Sequence, residues 1–254
     1  MTLNPRILVA ISAELRAWNV APPEQPYWRM YWNDAEGAAV VTRKGRWELG
    51  PDRLVLIAPH TWFQGRLTRP LHHTYVHALL GPPLDGADGL VMTVPLDAGR
   101  RRLAAALGDL PPLQRELSAL SLFTWAAATL PDHAWPTPPA DARIARAQQR
   151  LSEDLARPIA IADLAAELGL HPNGFTRLFR RHCGCPPLAW GLRRRLDEAC
   201  QLLVHGDVPV ADIARRCGFA DHRHLGAAFR RRFGEAPSAF RRSHTHSVRP
   251  IAGR

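Results

Sequence analysis

The spacing of apolar residues changes character along the chain, and each change marks an element or a boundary. Arg6–Trp18 carries the run Ile7-Leu-Val-Ala-Ile11 and then mixes apolar with charged residues, which fits a short helix or a strand leading into one. From Tyr27 to about Val94 the signals are those of strands. Trp28, Met30 and Trp32 alternate, Ala38–Thr42 is β-compatible, Leu54–Ala58 is continuously apolar, and His72–Leu80 forms a further run. Asp34-Ala-Glu-Gly37, Lys44-Gly45, Pro59, Gly65, Pro70 and Gly81-Pro-Pro83 punctuate these runs as turns. Short strands at this spacing predict a small barrel or sandwich.

From Asp97 the period becomes helical. Arg100–Leu107 begins one helix, Gly108–Pro112 breaks it, and Leu113–Trp125 continues. Leu113, Leu117, Leu120 and then Phe123 or Thr124 form a heptad-like stripe under two heptads long. Four prolines between Pro131 and Pro139 read as a linker, partly extended and able to space domains. Asp141 then stands where an N-cap is wanted, ahead of Ile144, Ala147, Gln148 and Leu151 on one helical face.

The last third of the chain is written twice. Ile161-Ala-Asp-Leu-Ala-Ala-Glu-Leu-Gly-Leu170 pairs with Val210-Ala-Asp-Ile-Ala-Arg-Arg-Cys-Gly-Phe219 at an offset of 49. One insertion later, Phe179-Arg-Arg181 returns as Phe229-Arg-Arg231, Gly184 as Gly234, Pro187 as Pro237 and Ala189-Trp190 as Ala239-Phe240, at an offset of 50. Two copies are too few for a solenoid, so a duplicated small domain is the reading. Each copy has the grammar of a helix-turn-helix: a short apolar stripe (Ile161, Leu164, Ala165, Leu168), a glycine (Gly169), then a second stripe (Phe175, Leu178, Phe179) opened by Pro172. The second copy repeats it with Val210, Ile213, Ala214 and Cys217, then Gly218, then Leu225, Ala228 and Phe229. Between the copies, Leu188 to about Val204 predicts a connecting helix ended by Gly206.

Charge follows the same division. Residues 141–254 hold 20 Arg against 11 Asp and Glu, whereas residues 1–140 hold 13 basic against 12 acidic residues. Basic charge confined to the duplicated region is the footprint of a phosphate-binding surface. Lys44 is the sole lysine, and the preference for arginine fits genomic composition as well as it fits function.

The strings Arg193-Arg-Arg-Leu-Asp-Glu-Ala-Cys-Gln-Leu-Leu203, Ile213-Ala-x-x-x-Gly-Phe219 and Phe229-Arg-x-x-Phe-Gly-x-x-Pro-x-x-Phe-Arg241 resemble the DNA-binding domain of AraC-family transcription regulators. The phrase Trp47–His60 resembles the cupin-like sensor domains that precede many such domains. These resemblances imply an α+β chain: a small cupin-like β-barrel with a helical hairpin over 1–130, a Pro-rich linker over 131–140, and an all-α domain of two helix-turn-helix units joined by a long helix over 141–254. They also imply double-stranded DNA and RNA polymerase as partners, a small-molecule effector in the barrel, and a homodimer paired through the stripe on Leu113–Trp125. Packing of that stripe on its own barrel is the competing reading.

Matched to the family's motif, Asn173, Thr176 and Arg177 stand where base-contacting side chains usually stand, and Arg180 and Arg181 stand where phosphate is touched. In the second copy the matched positions are His222, Arg223, Gly226 and Ala227. Gly226 and Ala227 depart from the family's usual polar residue and arginine. His222 and Arg223 are therefore the expected base readers there, with Arg230 and Arg231 on the backbone.

His60, Trp62, His73, Tyr75 and His77 cluster in the β region, and on a strand His73, Tyr75 and His77 share one face. They read as a polar effector pocket, as structural histidines, or as metal ligands. The metal reading is weakened because no Glu lies between Glu48 and Glu116. No metal or other cofactor is expected. Cys183, Cys185, Cys200 and Cys217 lack a second Cys/His pair at finger spacing and read as small buried hydrophobes. The absence of a signal peptide or membrane span predicts a cytoplasmic protein with no membrane partner.

The chain is therefore expected to be a ligand-responsive regulator and not an enzyme. A regulator whose barrel serves only dimerisation, or a cupin-type enzyme fused to a DNA-binding domain, are the alternatives. A DNA-repair alkyl acceptor would need a nucleophilic Cys in the first 140 residues, which hold none.

Overall fold

A computed structural model describes residues 5–18, 25–81, 84–87, 89–135 and 141–248, with side chains described as far as Arg242 in the last helix. These residues fall into two compact units that divide at residues 136–137.

The N-terminal unit contains β1 (Arg6–Leu15), β2 (Trp28–Asn33), β3 (Ala38–Thr42), β4 (Gly45–Leu49), β5 (Arg53–Ile57), β6 (Gln64–Leu67), β7 (Leu71–Leu79) and β8 (Val91–Pro95), followed by α1 (Ala98–Ala106) and α2 (Pro112–Ala128). The strands form two antiparallel sheets, ordered β1-β7-β2-β5-β8 and β4-β3-β6. Among the described residues no ladder joins one sheet to the other, so the expected barrel takes the form of a two-sheet arrangement.

The alternation in β2 explains the layering. Trp28, Met30 and Trp32 lie with Leu54, Leu56, Val76 and Ala78 on one face, against Ala104, Leu107, Ala119, Leu122 and Phe123 of the helical hairpin. Tyr31, Val55, Ile57 and Tyr75 occupy the opposite face, with Ala38, Val40, Leu49 and Phe63. Helices, five-stranded sheet and three-stranded sheet thus form three layers. Every residue of β2 is buried because both its faces are covered.

The ambiguous N-terminal segment is a strand. β1 pairs with β7 from Arg6↔Leu79 to Leu15↔Leu71, with a register shift between Ile7 and Val9. Long-range pairing with β7 decided what local preference left open. The break between α1 and α2 is held by Arg115, whose guanidinium donates to the carbonyls of Leu107, Gly108 and Leu110 at 2.9–3.1 Å.

At the end of this unit one expectation is corrected and another is divided between its two readings. Residues 131–135 do not behave as a spacer: Leu130 and Ala134 are buried in the core, and Trp135 packs on Trp28 with ring centroids 5.7 Å apart. The apolar residues between the prolines give this segment a face that the sheet covers. The remaining linker positions, 136–140, lie outside the described residues. On α2 the predicted stripe splits, with Phe123 buried while Leu113 and Leu117 stay 69% and 57% exposed.

The C-terminal unit contains α3 (Ala142–Glu153), α4 (Ile161–Glu167), α5 (Pro172–Cys183), α6 (Pro187–His205), α7 (Val210–Arg216), α8 (His222–Phe233) and α9 (Pro237–Val248). Asp141 caps α3 as expected, accepting from the Arg143 backbone N–H at 2.9 Å. The connecting helix α6 is 19 residues long, about 28 Å at 1.5 Å per residue.

Candidate nucleic-acid interface and effector pocket

The two copies build the same turn. Gly169 has φ +65° and Gly218 φ +69°. In the first copy Leu170 N–H donates to Ala165 C=O at 2.9 Å, and in the second Phe219 N–H donates to Ala214 C=O at 2.9 Å. A left-handed residue followed by this back-bonded amide closes the short helix and turns the chain into the next one, a geometry glycine adopts without steric cost. The following helices, α5 and α8, start on side-chain caps: His171 Nδ1 accepts from Asn173 N–H at 3.4 Å and Asp221 Oδ1 from His224 N–H at 2.7 Å. Both end on left-handed glycines, Gly184 and Gly234, each donating its N–H to the carbonyl four residues back at 2.9 Å.

The cores repeat as well. Phe179 meets Trp190 edge-on at 6.1 Å, and its counterpart Phe229 meets Phe240 edge-on at 5.1 Å. Phe175, Phe179, Leu225 and Phe229 are fully buried, which fixes the rotation of α5 and α8 about their axes.

That rotation decides what faces solvent. On α5, Asn173, Arg177, Arg180 and Arg181 are exposed and Thr176 is half-buried. On α8, His222, Arg223, Arg230 and Arg231 are exposed, while the outward positions Gly226 and Ala227 carry no polar group. Elsewhere in this unit some arginines are neutralised, Arg143 by Asp141, Arg150 by Glu153 and Glu167, and Arg215 by Asp212, while exposed Arg146, Arg157, Arg193 and Arg216 add to its positive surface. Among the described residues, Arg177, Arg180, Arg181, Arg223, Arg230 and Arg231 have no carboxylate within ion-pair distance. Unneutralised guanidinium groups gathered on α5 and α8 are what phosphate binding requires.

The second unit is tied to the connecting helix by residues that motif reading passed over. Arg232 Nη2 on α8 donates to Asp197 on α6 at 2.9 Å. Arg195 Nη1 on α6 donates to the Gly218 carbonyl at 3.1 Å, with its guanidinium 5.3 Å from the Phe219 ring centroid. Burial lowers the Arg195 pKa. Both residues sit inside the Arg-Arg-Arg-Leu-Asp string, but only three-dimensional placement shows which arginine turns inward. The four cysteines are free thiols. Burial pushes Cys217 up to about 12 and raises Cys183, which makes them poor nucleophiles.

In the N-terminal unit the five candidate pocket residues separate into two groups. His73, Tyr75 and His77 are buried on the inter-sheet face of β7, directly opposite Asn33, Tyr31 and Arg29 of β2. The result is a polar ladder between the sheets. His73 Nδ1 lies 2.7 Å from Asn33 Oδ1, and burial drives the His73 pKa down to about 3. Burial also raises the phenols of Tyr31 and Tyr75. Among the described residues the Tyr75 hydroxyl, the Asn33 side-chain N–H₂ and Arg29 Nε have no hydrogen-bond partner. Arg29 is 1% exposed, donates through Nη2 to the Thr61 carbonyl at 3.2 Å, and stacks 4.7 Å above the Phe63 ring.

His60 and Trp62 form the second group, at the end of the ladder. Together with Thr42–Lys44, Thr61 and Gly89 they line a pocket of about 290 Å³. Among the described residues no group of three His, Cys, Asp or Glu side chains is placed to hold a metal ion. The sequence reading missed Arg29, Tyr31, Asn33, Arg43 and Lys44 as pocket or ladder residues. The alternation of β2 carried the signal for the first three, since positions opposite in phase to Trp28, Met30 and Trp32 share a face.

Residues 164–243 match the family described as Helix-turn-helix domain. The chain is 33% identical over 116 residues to the arabinose operon regulatory protein of Escherichia coli K12, covering 45% of this chain and 40% of that protein. It is 36% identical over 101 residues to the transcriptional activator RhaS of Klebsiella pneumoniae, covering 40% and 36%. The matched stretch thus spans about two-fifths of the length of these relatives. Over nearly the whole chain the fold is similar to ToxT of Vibrio cholerae, at a TM-score of 0.58 and 12% identity, covering 95% of this chain and 96% of that one. No helix among the described residues is long and apolar enough to cross a membrane.

Proposed function

We propose that this chain, whose residues 164–243 are a helix-turn-helix domain of the AraC family, is a sequence-specific DNA-binding transcription regulator that responds to a small-molecule effector. The observation that carries the reading is the pair of matching turns, each followed by a helix whose exposed arginines have no acidic partner. Asn173, Thr176 and Arg177 read bases in one half-site, and His222 and Arg223 read them in the other. Arg180, Arg181, Arg230 and Arg231 hold phosphates. With Gly226 and Ala227 outward on α8, the second unit works more by backbone contact and shape.

Residues 1–130 are read as the effector-sensing and dimerisation domain, its two sheets as a cupin-like barrel, and 141–254 as the DNA-binding domain. Exposed Leu113 and Leu117, one helical turn apart on α2, suit pairing with a second copy. His60, Trp62, His73, Tyr75 and His77 belong to the effector region. That ToxT, of similar fold, has been crystallised with an unsaturated fatty acid bound favours effector binding by a chain of this fold. RNA polymerase is the partner such a regulator acts on, and the cytoplasm is where it meets its DNA.

Gel-shift binding of the purified chain to the DNA flanking its own coding region, with and without metabolite extract, tests the reading. Affinity should fall steeply with salt, because each neutralised phosphate releases counterions, and extract should change it. Absence of salt-sensitive affinity for any duplex would overturn the regulator reading. Salt-sensitive affinity that no extract alters would favour a regulator whose N-terminal unit only dimerises.

A further inference from the structure

The pocket at the end of the polar ladder has a lining with a definite charge. Arg43 and Lys44, in the turn between β3 and β4, contribute two cations. Lys44 Nζ donates to the Gly89 carbonyl at 2.8 Å, and neither residue has a carboxylate within ion-pair distance among the described residues. Some arginines of this unit find acids, Arg16 with Glu14, Arg46 with Glu48, Arg53 with Asp52 and Glu36, and Arg100 with Asp97, whereas Arg66, Arg69 and Arg115 bond to an amide or to backbone carbonyls. Among the described residues no Asp or Glu lines the pocket.

Behind this rim lies a third cation. Arg29 is buried, its Nη2 bonded to the carbonyl of Thr61, which itself lines the pocket, and its Nε lacks an acceptor. A buried guanidinium without a carboxylate is costly unless a counter-charge arrives. Two further features mark the rim. Trp62 leaves 44% of its surface exposed, an unusual exposure for a large aromatic. His60 is held at φ +57°, where a side chain with a Cβ is strained, and strain of this kind gathers at ligand sites.

We propose that this pocket binds a small planar carboxylate, its negative group held by Lys44 and Arg43 in front of Arg29, and its ring laid on Trp62. The volume, about 290 Å³, lies at the small end of ligand sites, which suits a one- or two-ring molecule and excludes a long chain. The assignment deepens the effector reading and rests on it for its regulatory meaning, but binding itself can be read without DNA.

Isothermal calorimetry on the full chain would compare benzoate with benzamide and indole-3-acetate with indole-3-acetamide, in low-salt buffer. At least one carboxylate should bind tenfold or more tightly than its amide. The double variant Arg43→Gln/Lys44→Gln, checked for an unchanged melting profile, should abolish that preference. Trp62→Ala should weaken carboxylate and amide alike. Equal affinity within each pair, no binding by either carboxylate, or a preference surviving in the double variant would overturn the assignment. Inorganic phosphate competing as tightly as the carboxylate would overturn the planar part of it. Binding that leaves DNA affinity unmoved would sink the effector reading instead, so the two failures are distinguishable.

Discussion

Arg232 on α8 donates to Asp197 of the connecting helix α6 at 2.9 Å, and Asp197 is 2% exposed. This pair spans two helices that frame the second half of the C-terminal unit. Removing one partner of a pair whose carboxylate is buried loses a charge-assisted hydrogen bond that the low local dielectric strengthens. Asp197→Ala should therefore lower stability by about 3 kcal/mol, read as a shift in urea midpoint at constant slope. Adding Arg232→Met should recover part of the loss. A single-variant loss below about 1 kcal/mol would mean that surface water satisfies Arg232 and that α8 is held by its apolar face alone.

The sorting of arginines into base readers and phosphate holders makes opposite forecasts for two substitutions. Arg177→Ala should cost about 1–3 kcal/mol on the best site and relax base preference at one position of a selected binding site. Arg231→Ala should weaken all sequences alike and reduce the slope of log affinity against log salt by roughly one. The reverse pattern in a binding-site selection would show that the recognition helices sit differently in the groove.

The two turn glycines share a backbone conformation but not their surroundings. A Cβ on Gly169 meets nothing within 4 Å, whereas one on Gly218 would lie 2.2 Å from the Leu155 carbonyl oxygen. Gly169→Ala should cost only the left-handed penalty, about 1 kcal/mol. Gly218→Ala adds a backbone clash that nothing flexible can relieve, and about 3 kcal/mol or failure to fold is expected. Equal melting temperatures for the two variants would contradict this.

His73 makes stability depend on acidity. Burial holds its folded pKa at about 3, below the unfolded value of 6.5. The unfolded chain therefore binds the extra proton between these values, so stability is fully present above pH 6.5 and declines as pH falls toward 3. His73→Phe should flatten the pH dependence of the unfolding free energy in that window by up to about 1.4 kcal/mol per pH unit relative to the parent. Parallel curves for parent and variant would show that His73 is reached by water in the folded state.

How much of this was legible beforehand follows the range of the interactions. The helix-turn-helix copies could be read because their determinants are local: Gly169 and Gly218, the apolar stripes and the capping Asp141 act within a few residues. The β region was legible as strands of a barrel or sandwich but not in its strand order, because pairings such as Arg29↔His77 link residues far apart in the chain. Trp135 shows the same limit, since a Pro-rich stretch announces a linker while Trp28 claims it for the core. Of the candidate pocket, His60 and Trp62 were visible as unusual residues. Arg43 and Lys44 looked like any basic turn until folding set them across from Gly89.

The alternation of β2 also says how such a protein can change. Its even-numbered side chains belong to the helix-facing core and its odd-numbered ones to the polar ladder, with one backbone as the wall between them. Substitutions at 29, 31 and 33 can rewrite the chemistry of the inter-sheet face while 28, 30 and 32 keep the hairpin seated. A strand built this way lets chemical taste drift through a lineage without disturbing the core beneath the helical hairpin. The opposite drift is equally open.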